Sequence, residues 1–367
     1  MGRPLLAQIN LAALAGNVAL ARARAPGAQL LAVVKADAYG HGLLRVLPAL
    51  EEADGLALLE LDMAIALREH HYTRRILLIE GFFEARELNE IAQRRLAIVV
   101  HHDDQVRMLE GATLPRPLEV FVKVNTGMNR LGFPASRLAH VVTRLRALGC
   151  VRTLTLMTHL ASADEADGIA EPLALFRTIA DGMDLPVSIA NSAGVFRYHE
   201  IGGDVVRPGI MLYGSSPFAT EAGTAAKLQL KAVMSLKSRI IAVQHVERGK
   251  RVGYGGAHRV ERGSRIGIVA CGYADGYPRH APTGTPVLVD GHRAPITGRV
   301  SMDMIAVDLT ALPGSGEGAE VELWGARLPV DEVAAAAGTI SYELLCGVTQ
   351  RVPVEVTGLD PEAPAAA

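Results

Sequence analysis

The sequence predicts a (β/α)8 barrel of the TIM type followed by a β-rich C-terminal domain, and three observations carry that expectation. Between residue 28 and about residue 210, eight short apolar runs alternate with helical patterns of Ala, Leu and Arg. Strands buried on both faces read as such unbroken apolar runs. After Gly223 the helical patterns thin, and Val/Ile-rich segments separated by Gly and Pro replace them. At 367 residues the chain is also long enough for a barrel and a second domain. An open doubly wound sheet is the alternative architecture, but no G-x-G-x-x-G follows the first barrel strand, which argues against its dinucleotide-binding form.

Taken in order, Leu5–Ile9 reads as a strand that the second domain can use, and Asn10 as the cap of a helix with Leu11, Leu14 and Val18 on one face. The run up to Ala23 imitates a secretory signal, yet Gln8, Asn10 and Asn17 interrupt it. Barrel strands are expected at 29–34, 55–59, 76–80, 96–100, 119–124, 153–158, 186–190 and 204–206. In the second domain, Arg265–Ala270, Pro286–Val289, Met304–Asp308 and Glu320–Trp324 read as strands. The expected division is therefore a barrel over 11–224, a β domain built from 1–10 with 225–360, and a disordered Ala/Pro tail over 361–367.

Composition narrows the function classes. A net charge of -2 gives no electrostatic ground for nucleic acid or an anionic membrane as partner. No stretch approaches the ~20 apolar residues of a membrane span. Cys150, Cys271 and Cys346 are odd in number and form no C-x-x-C or Cys/His cluster, so neither disulfides nor a metal site is expected, and a reducing cytoplasm fits best.

Lys35 ends the apolar run Leu30–Val34 and is followed by Ala36-Asp37-Ala38-Tyr39-Gly40-His41-Gly42, which cannot continue a strand. A barrel gathers the loops after its strands on one face. Strand one thus presents Lys35 and Tyr39; strand five leads into Lys123 through Arg130; strand six ends at His159, strand seven at Asn191-Ser192, and strand eight at Arg207-Pro208-Gly209. Taken singly, His159 reads as a satisfied core histidine, Asn191-Ser192 as a helix cap and Arg207 as a rim cation. Together they suit an aldehyde cofactor bearing a phosphate. Lys35 offers a Schiff-base amine, while Ser192 and the amides of Gly209 and Ile210 offer a phosphate site where barrels often have one. An always-charged Arg207 near a pyridine nitrogen would disfavour its protonation and moderate carbanion delocalisation.

At this point the chain resembles the bacterial alanine racemases of the pyridoxal-phosphate fold III type, nearly end to end. The residues that carry the resemblance are Ala32–Gly42, Lys123–Gly132, His159–Asp164, Asn191–Gly194, Arg207–Ile210, Gly253-Tyr254-Gly255, Gly272–Tyr277 and Gly298–Asp303. It implies interconversion of L- and D-alanine, supplying D-alanine for peptidoglycan, with pyridoxal 5'-phosphate carried on Lys35. Lys35 is then the base on one face of the substrate α-carbon, and Tyr254 from the partner subunit of a homodimer the acid/base on the other. Two groups on opposite faces are what racemisation requires. A phenol is a poor base at neutral pH, and the resemblance places His159, next to Arg207, beside Tyr254. It further implies that Arg130 and the Met302 amide hold the substrate carboxylate, that Tyr39, Ser192, Gly209, Ile210 and Tyr342 bind the phosphate, and that Lys123 occupies a position carbamylated in many relatives. Asp164, Tyr273, Arg279, Arg299 and Asp303 match residues lining a narrow access corridor.

Two departures stand out: Asn125 where many relatives have Asp, and Ser301 where some have Cys. The first removes a charge near Lys123 and Arg130. Competing functions are a broad-specificity serine/alanine racemase, a fold III decarboxylase, which should offer a cysteine acid where this chain has Tyr254, and a non-catalytic cofactor-binding barrel, which should lack the second domain altogether.

Overall fold

The computed structural model describes residues 2–165, 168–218 and 224–358; the expected tail over 361–367 lies outside them. Strand β1 (Leu6–Asn10) leads directly into the helix Leu11–Arg24, where the Asn10 side chain accepts the Ala13 N–H at 2.9 Å. Eight parallel strands then close into a barrel: β2 (Gln29–Val33), β3 (Gly55–Leu58), β4 (Arg75–Leu78), β5 (Ala97–Val100), β6 (Leu118–Lys123), β7 (Val151–Met157), β8 (Val187–Ser188) and β9 (Val205–Val206). β3 and β5 are buried at every residue, which is why they carry no polar alternation.

The second domain holds β10 (Met234–Val246), β11 (Arg251–Val252), β12 (His258–Arg259), β13 (Ser264–Val269), β14 (Pro286–Val289), β15 (His292–Pro295), β16 (Ile305–Asp308), β17 (Glu320–Trp324) and β18 (Val354–Thr357). Its main sheet runs β15-β14-β17-β10-β1-β18, with β13 pairing β10 and β16. The first strand of the chain therefore lies inside the sheet of the C-terminal domain, antiparallel to β10 and parallel to β18. A bulge between Ile240 and Ala242 bends β10, so that its first half pairs β1 and β17 and its second half pairs β13.

Two helices, Val330–Ala337 and Ser341–Gly347, interrupt this β-rich region. The second packs back on the barrel. Asn17, which breaks the signal-like run in the sequence, is a buried junction: its side chain donates to the Leu212 and Lys231 carbonyls at 3.0 and 2.8 Å and accepts the Lys231 N–H at 2.9 Å. It joins the first helix to the end of the barrel and the start of the second domain. Among the described residues, no helix is long and apolar enough to cross a membrane.

Candidate active site

Lys35 emerges half-buried from β2, and the backbone after it turns left-handed. Ala36, Asp37, Ala38 and Tyr39 have φ between 52° and 55°. Such a conformation costs roughly 1–2 kcal/mol per non-glycine residue. Local bonds hold it: Ala38 N–H to Val34 O, Gly40 N–H to Ala36 O and Gly42 N–H to Asp37 O, each 2.9 Å, and Leu43 N–H to the Asp37 carboxylate at 2.7 Å. A Cβ on Gly40 would meet the Leu345 carbonyl at 2.3 Å, so the helix Ser341–Gly347 lies flush on this turn. The turn also delivers the Tyr39 ring onto Tyr213 (centroids 4.6 Å apart) and towards Tyr342 (5.9 Å). Tyr213 donates its hydroxyl to the Val33 carbonyl at 3.0 Å, fixing this aromatic stack to β2.

Beside that stack is the anion cradle. Asn191 caps the short helix Ser192–Phe196 by accepting the Gly194 N–H at 3.0 Å. Ser192 Oγ accepts the amides of Gly209 at 2.9 Å and Met211 at 3.3 Å, which leaves its own proton to donate. The Ile210 amide, first in the 3-10 helix Ile210–Tyr213, has no intrahelical acceptor. A Cβ on Gly209 would lie 2.4 Å from the Tyr39 hydroxyl oxygen, so glycine leaves open a space between amides and phenol that any other residue would fill. This set of neutral donors fits a phosphate ester.

Cations crowd the remainder of the barrel mouth. Arg207 is buried; it donates to Ser188 Oγ, to the Thr158 carbonyl at 2.6 Å and to the Ile189 carbonyl at 3.4 Å. It is no rim cation, and its guanidinium bonds go to these groups rather than to His159. Burial lowers its pKa to about 10, so it stays charged at neutral pH. Burial, together with the charges of Arg207 and Arg130, pulls Lys123 down to about 8. Burial and the charges of Arg207, Lys123, Arg130 and Lys35 push His159 to about 3, which keeps its imidazole neutral. Lys123, Asn125, Arg130 and His159 line one small cavity. Arg130 is exposed at its mouth, and Asp164 lies near Tyr342.

The structure thus brings together Lys35, Tyr39, Lys123, Arg130, His159, Asp164, Ser192, Arg207, Gly209, Ile210 and Tyr342. Tyr254, Tyr273, Arg279, Arg299, Met302 and Asp303 stand apart on the second domain. Tyr254 is 70% exposed, in a turn of three left-handed glycines, Gly253, Gly255 and Gly256. Sequence reasoning passed over the groups that hold the others in place: Tyr213, Ser188 and the Thr126–Thr158 hydroxyl pair at 2.7 Å, all buried. Their signal was a polar residue at or near a strand end, too common to single them out.

The family profiles for the alanine racemase N-terminal and C-terminal domains match residues 9–217 and 233–356. An alanine racemase of Nitrosospira multiformis is 54% identical over 355 residues, spanning 96% of this chain and 99% of that protein. The crystal structure of biosynthetic alanine racemase from Pseudomonas aeruginosa is 48% identical and aligns with a TM-score of 0.94 over 97% of this chain and 100% of that one. That of alanine racemase from Bartonella henselae, with covalently bound pyridoxal phosphate, is 27% identical, with a TM-score of 0.87 over 97% and 100% of the two chains. With the barrel, the second domain and nearly the full length all matched, this chain belongs to the alanine racemase family.

Proposed function

We propose that this chain racemises alanine with pyridoxal 5'-phosphate held in the barrel mouth, in a homodimer whose two subunits complete each other's sites. The single observation that carries the reading is that the turn beginning at Lys35 sets the Tyr39 phenol against the glycine of the neutral-donor cradle, while Tyr254 stands exposed on the other domain. Tyr39, Ser192, Tyr342 and the Ile210 amide would hold the phosphate, joined by the Gly209 amide once it turns from Ser192 Oγ, and Arg207 would lie towards the ring nitrogen. The cofactor, when bound, supplies an electron sink for the pair left behind as the α-proton departs.

The side chains then do the rest. Lys35 exchanges a proton with one face of the α-carbon, and Tyr254 of the partner subunit with the other; neither group alone can both remove and return a proton with inversion. His159, neutral because burial and its cationic neighbours push its pKa to about 3, can accept a hydrogen bond from that phenol without contributing charge. Arg130 and the Met302 amide orient the substrate carboxylate. Tyr254, Tyr273, Met302, Met304 and Ile340 are all exposed apolar or aromatic groups of the second domain, each of which a second copy could cover.

The test is a chiral assay of cofactor-loaded protein with L-alanine in heavy water. D-alanine carrying deuterium at the α-carbon is the expected product. Exchange without inversion would remove Tyr254 from its role while keeping Lys35, and no exchange would sink alanine as the substrate. For the shared site, mixing Lys35→Ala and Tyr254→Phe proteins should restore activity through hybrid dimers; absence of recovery after demonstrated subunit exchange would count against it.

A further inference from the structure

Two loops of the second domain, Gly272–Tyr277 and Arg299–Met304, are fused into one unit by groups from both ends of the chain. The Asp275 side chain is fully buried and accepts the Gly272 N–H at 2.8 Å, closing the first loop on itself. Arg3 grips that carboxylate with both terminal nitrogens, at 2.6 and 2.7 Å, and Arg351 adds a third contact at 2.8 Å. The same two arginines reach the second loop: Arg3 donates to the Asp303 carbonyl at 2.6 Å, and Arg351 to the Asp303 carboxylate at 2.6 Å.

Backbone bonds complete the fusion. Tyr273 N–H donates to Ser301 O and Ala274 N–H to Met302 O, both at 3.0 Å. A Cβ on Gly272 would strike the Ser301 and Met302 carbonyls at 2.4 Å, so the loops are in contact along their length. The Met302 carbonyl and the Asp303 carbonyl are each pinned. The Met302 amide has no acceptor of its own among the described residues, and it is left free to donate outward.

We infer that Arg3 and Arg351, acting through Asp275 and Asp303, are positioning residues that hold the Met302 amide in place for the substrate carboxylate. This rests on the racemase reading above. A bidentate guanidinium–carboxylate pair fixes direction as well as distance. Truncating Arg3 leaves the buried Asp275 carboxylate with only Arg351 and the Gly272 N–H and the Asp303 carbonyl unpinned, while truncating Arg351 removes one contact from each of the two carboxylates. Since a misplacement of about 1 Å can cost ~100-fold, the loss should register at the substrate without any change in cofactor binding.

Cofactor-loaded Arg3→Ala, Arg3→Lys and Arg351→Gln proteins test this. For Arg3→Ala, KM for both L- and D-alanine should rise about tenfold with kcat changed less than about twofold, and Arg3→Lys should recover part of the loss. The visible absorbance of the bound cofactor should stay unchanged. Hydrogen exchange at the Tyr273 and Ala274 amides should accelerate in Arg3→Ala, a readout independent of turnover. KM within twofold of the parent, or exchange at those amides unaltered, would overturn the inference; should Arg3→Ala fail to fold, the same comparisons in Arg351→Gln and Arg3→Lys decide it. A parent protein that binds the cofactor but leaves alanine untouched would instead overturn the racemase reading, and the exchange experiment would still decide whether the arginines fuse the loops.

Discussion

A methyl group at position 209 would sit 2.4 Å from the Tyr39 hydroxyl oxygen, closer than any real Cβ contact. Gly209→Ala should therefore weaken pyridoxal-phosphate affinity by at least tenfold while the fold survives, measurable by titrating the apo protein with cofactor; equal affinity would show that the phosphate is not held between that amide and that phenol. Lys123 makes a second prediction. Its amine, brought down to about 8 by burial and by Arg207 and Arg130, is protonated below that pH and neutral above it. Only the neutral amine takes up carbon dioxide, so a carbamate at Lys123 should grow in as pH rises through about 8, detectable by carbon-13 NMR with labelled bicarbonate and missing in Lys123→Met. A signal that persists in the Met variant, or never appears, would refute it. These single residues were legible because chemistry at a strand end has few innocent explanations when five strands agree. Arg207 shows the limit: its type and position were readable, but its bonds to Ser188 and Thr158 depend on strand closure that no local pattern encodes.

Among the elements, the left-handed turn after Lys35 is the least foreseeable. The segment has Gly40 and Gly42, yet the four residues with φ near 53° are Ala, Asp, Ala and Tyr, of which only Asp leans towards that conformation. The helix Ser341–Gly347, some 300 residues away in sequence, lies flush on the turn at Gly40, and no local pattern announces that contact. Relief of that cost reverses the usual sign of a glycine substitution. Ala36 is exposed, so Ala36→Gly should leave stability unchanged or raise it by up to about 1 kcal/mol, where a glycine in an ordinary helix costs about that much. Gly40→Ala should do the opposite: with φ of 78° and the Leu345 carbonyl at 2.3 Å, it should destabilise by roughly 2–4 kcal/mol and displace Tyr39. Thermal unfolding of both variants checks the pair; a destabilised Ala36→Gly would mean that the turn is not strained. The barrel strands, by contrast, were read within a few residues of their observed bounds, because burial on both faces leaves an unbroken apolar run. The 13-residue β10 was not, since its bulge and shared partners blur the alternation that would mark it.

On the scale of the whole molecule, electrostatics tie the two chain ends to the second domain. Burial pushes the Asp275 carboxyl up, but the hydrogen bonds from Arg3 and Gly272 and the charges of Arg3 and Arg351 outweigh it and leave the group below its ordinary range. A carboxylate depressed in the folded state contributes stability that is full above its unfolded pKa of ~3.9 and disappears as pH falls through the folded value. Acidification from about pH 5 to pH 3 should thus lower Tm more in the parent than in Asp275→Asn, as followed by circular dichroism; parallel profiles would mean that the network carries no pH-dependent stability. The fold class was legible at this scale because the change of texture after Gly223 is a property of more than a hundred residues and survives local ambiguity.

The position of β1 also has a consequence for how the protein is made. Ala7 leaves the ribosome 347 residues before its parallel neighbour Val354, which opens the last strand of the sheet. At roughly 5–20 residues per second, the first strand waits on the order of 20–70 s for that partner, while the barrel it precedes can already close. Until β10 follows from residue 234 both of its edges are unpaired, and the edge that β18 takes stays open longest, so its half-buried Gln8 and exposed Asn10 act as guards against mispairing until the C-terminal domain is complete.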